Sequence, residues 1–209
     1  MLPHLLLSLA LSSATFRCVA HRAGGTPALI ASNGTRFTLR VDMDDDYGKN
    51  THLCEADFTF ASALPYQPES QNNAYSSDDA WDRSVALAVY GFDSRDRRVF
   101  GIIREGAAPS SVTLFSYDIR SREVGTIDLD RTFRNKLPRA CIPLLTVVGT
   151  GGSDESEIIL ATDRTPGCPS RRFALALARD AAQRDIVRSL RVLPAEAAVL
   201  PLDAGRTQP

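Results

Sequence analysis

Polar and apolar residues alternate with a period of two along much of the chain, as in Arg36-Phe-Thr-Leu-Arg-Val and Ser111-Val-Thr-Leu-Phe, between clusters of Gly, Pro, Asp and Ser. A period of two puts successive side chains on opposite faces of a strand. It predicts strands at residues 35–42, 56–62, 84–92, 98–104, 111–118, 124–129, 144–149, 157–162, 172–177 and 185–192. Their Val, Ile, Phe and Thr content agrees with that assignment. Helical periodicity is confined to residues 131–136 and 179–184, which have room for a turn or two. Residues 65–82 are polar throughout, show no apolar period, and are expected to form a long exposed loop. Residues 194–209 mix Ala, Pro and polar residues and are expected to be a flexible C-terminal tail. The fold class is therefore all-β, with antiparallel sheets or a sandwich and long loops, in one domain over residues 21–193.

The strand pattern also repeats. Val99-Phe-Gly-Ile-Ile, Ser111-Val-Thr-Leu-Phe and Val124-Gly-Thr-Ile recur as Ile158-Ile-Leu-Ala, Arg172-Phe-Ala-Leu-Ala and Ile186-Val-Arg-Ser, each about 60 residues later. Arg36-Phe-Thr-Leu-Arg-Val and Asp57-Phe-Thr-Phe fit a diverged earlier copy. Within the first copy, Val112-Thr-Leu-Phe-Ser-Tyr-Asp-Ile-Arg-Ser-Arg-Glu-Val-Gly-Thr-Ile resembles the inner part of a β-propeller blade of the WD-repeat kind, with Tyr117-Asp118 in the place of Trp-Asp. Phe92-Asp-Ser-Arg-Asp-Arg-Arg-Val-Phe resembles the preceding hairpin, with Arg97 where such turns usually carry Gly. The resemblance spans residues 84–129 and implies blade-like, partly propeller-like sheets that bind partners rather than catalyse.

Composition narrows the functional classes. With 24 basic and 25 acidic residues the formal charge is -1, which excludes a nucleic-acid binder that works by bulk charge. Every basic residue except Lys49 and Lys136 is Arg, a bias that fits a GC-rich bacterial genome. Under that reading the Asn33-Gly-Thr35 glycosylation acceptor is a chance match. The Leu-dense run at residues 5–11, followed by Ser12, Ser13 and Ala14, reads as a signal peptide within residues 1–20, with cleavage after Ala14 or Ala20. The run is too short to span a membrane, and the protein is expected to be secreted or periplasmic.

In an oxidising compartment the four cysteines, Cys18, Cys54, Cys141 and Cys168, are expected to pair. The apolar runs on either side of Gly149-Thr-Gly-Gly-Ser-Asp read as a hairpin whose open end brings Cys141 opposite Cys168. Cys54 then pairs with Cys18 or stays free.

Candidate chemistry is sparse. Asp44, Asp46, Asn50 and Glu55 offer hard oxygen ligands at roughly the spacing of a calcium loop, with Glu55 twelfth when Asp44 is counted first. No other cofactor is expected. Tyr66, Tyr75 and Trp81, on or beside the polar loop, form a possible contact surface for a protein or carbohydrate. His52 is the single histidine placed to serve catalysis, and no nucleophile elbow or phosphate loop accompanies it. The sequence thus points to an exported, non-enzymatic binding module. Its alternative is a secreted hydrolase using His52 or one of the carboxylate clusters at Asp78, Asp79 and Asp82 or at Asp154, Glu155 and Glu157.

Overall fold

The computed structural model describes residues 14–17, 28–32, 34, 36–44, 55–63, 70–77, 85–93, 97–105, 111–151, 157–179, 185–204 and 206–208. Its first strands are β1 (Ala14–Arg17), β2 (Ala28–Ile30), β3 (Arg36–Asp44), β4 (Glu55–Ala63), β5 (Ser70–Ser77), β6 (Val85–Phe92), β7 (Arg98–Glu105), β8 (Ser111–Asp118) and β9 (Glu123–Asp128). A short helix, α1 (Leu129–Phe133), and a 3-10 helix (Arg139–Leu144) follow. The chain continues with β10 (Thr146–Gly151), β11 (Glu157–Thr162), β12 (Arg171–Arg179), β13 (Asp185–Leu193), β14 (Val199–Pro201) and β15 (Arg206–Gln208).

Three five-stranded antiparallel sheets share one design. Each contains a four-stranded meander, β2 to β5, β6 to β9 or β10 to β13, and each adds a fifth strand at the free edge of its first strand: β15, β1 and β14 respectively. The sequence repeat of about 60 residues is thus a repeat of four-stranded, blade-like units. Among the described residues these sheets do not close into a propeller.

The middle sheet, β6 to β9, is buried on both faces. One face carries the cross-strand row Ala88, Ile102, Leu114 and Ile127. It packs on the row Val147, Leu160 and Phe173 of the C-terminal sheet to form the main core. The opposite face holds Val99 and Tyr117, and the Tyr117 ring meets Phe37 of the N-terminal sheet at 5.5 Å between centroids. Successive sheets therefore stack face to face, and β8 is buried along nearly its whole length rather than on alternate residues.

Asp128 starts α1 by accepting a hydrogen bond from the Arg131 amide at 2.8 Å. Phe133, at the end of this helix, packs edge-on against Phe173 with centroids 5.0 Å apart. Arg104 clasps the 3-10 helix by donating to the carbonyls of Pro143 at 2.8 Å and Leu145 at 2.7 Å. The expected Cys141–Cys168 disulfide is present, with a Cα–Cα distance of 5.5 Å, and fixes this helix to the β11–β12 connection. No helix among the described residues is long and apolar enough to cross a membrane.

Three expectations need correcting. Within the expected loop at residues 65–82, Ser70–Ser77 forms β5, paired with β4 from Ala56↔Ser77 to Ser62↔Ser70. An outer strand can take its order from backbone bonding to a neighbour, so it needs no apolar alternation of its own. The expected tail at 194–209 contains β14 and β15. This segment pairs first with β10, then bridges β6 through Asp203 and Phe92, and finally pairs with β2. Its partners are the free edges of three sheets, which must be satisfied whatever side chains the added strand carries. Lastly, Gly151, expected in the hairpin turn, lies inside β10 together with Gly149. At Gly149 a side chain would collide with the Leu200 carbonyl, so the glycine admits the C-terminal segment.

Candidate functional site

The resemblance to a blade turn leads to a buried carboxylate and the arginines around it. β8 ends at Asp118, whose side chain is only 4% exposed. One carboxylate oxygen accepts hydrogen bonds from the amides of Arg120 at 2.9 Å and Ser121 at 3.0 Å, closing the β8–β9 turn. The other oxygen faces the Nε atoms of Arg97 at 3.3 Å and Arg98 at 3.8 Å. Burial alone pushes the Asp118 carboxyl up, but the two amides and two guanidinium groups outweigh it and hold the group below the ordinary carboxylate range. The preceding hairpin repeats the device: Asp93, also buried, accepts from the Arg97 amide at 2.7 Å.

This cluster forms one wall of a cleft of about 350 Å³ between the middle and C-terminal sheets. Arg97, Arg98, Asp118, Arg120 and Ser121 come from the middle sheet; Leu177, Ala178 and Asp185 come from the C-terminal sheet. Asp185 fastens the two walls by accepting from the Ser116 hydroxyl at 2.8 Å. It also lies where any side chain at position 125 would have to go, which explains Gly125 opposite it. Asp118 compensates Arg97 and Arg98, whereas no carboxylate pairs with exposed Arg120 among the described residues. Arg120 presents an exposed guanidinium at the cleft, and Ala178 and the largely buried Leu177 line its opposite wall.

The sequence-derived sites lie elsewhere or outside the described residues. Asp44 and Glu55 are direct cross-strand partners at the neck of the β3–β4 hairpin, while Asp46, Asn50, His52 and Cys54 lie outside the described residues. Tyr75 sits on β5 opposite Phe58; Tyr66 and Trp81 lie outside the described residues, as do Cys18, Asp78, Asp79, Asp82, Asp154 and Glu155. Glu157 is held by Arg191 through two bonds of 2.6 and 2.9 Å, so its carboxylate serves an ion pair. In the sequence Asp118 stands out as a blade-like residue, whereas Arg97, Arg98 and Arg120 do not stand out as its surroundings. Their one signal is the clustering of Arg beside two turn-forming Asp residues.

Compared with protein-family models, curated proteins and solved structures, the chain matches none.

Proposed function

We propose that this protein is a non-enzymatic binding module, acting as a secreted or periplasmic protein, whose ligand sits in the cleft between the middle and C-terminal sheets. The observation that carries the reading is the composition of that cleft. Two sheets contribute its walls, with Arg120 exposed on one side and Leu177 and Ala178 on the other. Such a combination of an exposed guanidinium with apolar neighbours suits recognition of a protein segment or a carbohydrate. The Cys141–Cys168 bond supports work outside the cytoplasm, where disulfides persist. The short Leu-dense N-terminus supports export by a cleaved signal.

The test is retention of peptides and oligosaccharides from arrays by the intact protein, Ala178→Phe and Arg120→Glu. The first substitution fills the cleft and the second reverses the charge at its mouth. Selective loss of one ligand class in both variants, with unchanged melting, supports the site; equal retention by all three proteins rejects it. Sequencing the mature N-terminus of the exported protein tests the location.

A further inference from the structure

A second cleft, separate from the first, lies between α1 and the 3-10 helix. Its volume is about 390 Å³, and Asp128, Asp130, Arg131, Arg134, Arg139 and Ile142 line it. Arg131, Arg134 and Arg139 are all exposed, and Lys136 adds a fourth exposed cation within the same short stretch. None of the four is paired with a carboxylate among the described residues. On a chain of formal charge -1 this concentration is local and does not follow from overall composition.

Each of the two acidic residues in the cleft has one oxygen bonded to the backbone. Asp128 accepts from the Arg131 amide at 2.8 Å, and Asp130 accepts from the Val112 amide at 2.7 Å. They position the segment, and neither forms an ion pair with its arginines among the described residues. The framework beneath is fixed as well. Leu129, Phe133, Leu137 and Ile142 are buried in the main core, and the Cys141–Cys168 bond anchors the 3-10 helix. Cations mounted on an ordered backbone lose less freedom on binding than cations on a loose loop. Guanidinium groups match oxyanions through paired, charge-assisted hydrogen bonds.

We infer that this cleft is a binding site for a tetrahedral oxyanion of the phosphate or sulfate type, either free or carried on a saccharide. The inference stands independently of the ligand assigned to the inter-sheet cleft. Its volume accommodates a small ligand, and three separately placed guanidinium groups favour several charged oxygens over a single carboxylate.

Isothermal titration of the full chain at constant ionic strength tests it, using sulfate, inorganic phosphate, a sulfated disaccharide and the same disaccharide without sulfate. Saturable binding of one oxyanion-bearing ligand per chain is expected, with none for the neutral disaccharide. Free ions binding as tightly as the sulfated sugar identify the ion as ligand; tighter binding of the sulfated sugar identifies the carried group. R131Q/R134Q/R139Q should weaken binding by about tenfold or more, since each charge-assisted bond is worth roughly that factor. R164Q/R188Q, which alters exposed arginines elsewhere, should leave it unchanged. Circular-dichroism melting checks the triple variant, and the single Arg134→Gln exchange gives the same comparison with one exposed side chain altered. Failure of every oxyanion to bind, equal binding of the neutral sugar, or equal weakening by the control variant overturns the inference.

Discussion

Phe92 and Asp203 exchange two backbone hydrogen bonds, each 2.8 Å long, and so join β6 to a segment more than a hundred residues later in the chain. The Asp203 carboxylate also accepts from the Ser32 amide at 2.6 Å, tying the same residue to the start of the N-terminal sheet. Beside it, Leu202 is buried in the core between the middle and C-terminal sheets. Residues 199–208 thus lace three sheet edges together. Leu202→Ala should lower stability by about 2–4 kcal/mol, the usual cost of emptying a buried leucine site. Deleting everything after Ala198 should cost more and promote aggregation through exposed strand edges. Urea unfolding and light scattering check both; a deletion variant as stable as the intact chain would show that the lacing is dispensable.

Gly91 provides a second test of the same contact. Its φ of 140° is poorly accessible to other residues, and a side chain there would strike the Asp203 backbone. Gly91→Ala should therefore destabilise by at least about 2 kcal/mol, combining backbone strain with overpacking. Gly167, at a φ of 82° but with open space around it, should show the strain cost alone. Equal losses at the two positions in parallel urea titrations would mean that the C-terminal segment exerts no steric demand.

The disulfide closes a sequence separation of 27 residues. Chain-entropy reasoning puts the stabilisation from a loop of this size at about 3.5 kcal/mol. Cys141→Ser with Cys168→Ser should lower the unfolding free energy by a comparable amount and mobilise the 3-10 helix. Denaturant titration measures the first effect, and hydrogen exchange of residues 139–145 measures the second. A double variant with unchanged stability and protection would assign the bond no structural role.

Much of this architecture was legible because runs rich in β-branched and aromatic residues, bounded by turn residues, coincide with the buried strands. Ile102, Leu114, Leu160 and Phe173 lie in such runs and pack in the core. The disulfide was legible from the hairpin between its cysteines. β5 was not, because Ser70-Gln-Asn-Asn-Ala-Tyr-Ser-Ser takes its order from pairing with β4 and shows no pattern of its own. β14 and β15 were hidden for the same reason: Val199, Leu200 and Pro201 take their order from pairing with β10, about fifty residues earlier in the chain, and show no pattern of their own. Asp118 was visible as part of a blade-like motif, whereas the wall opposite it depends on how two distant repeats stack. Local periodicity contains no information about that stacking.

Asp118 yields a prediction about pH. Because its folded-state pKa is lowered, the folded protein binds fewer protons at this group than the unfolded chain does. Its contribution is present above the ordinary aspartate value of about 3.9 and is lost as pH falls through the lower folded value. Asp118→Asn retains an acceptor for the turn amides but removes the charge facing Arg97 and Arg98. At neutral pH the loss should be about 1–2 kcal/mol, near the lower end for bonds to charged groups, because Arg97 is 48% exposed and partly screened. The gap between wild type and variant should narrow as both are unfolded at successively lower pH, starting near pH 4. Urea titrations between pH 7 and pH 2 measure that gap. If it stays constant across the range, the Asp118 charge is not what holds the turn and its two arginines together.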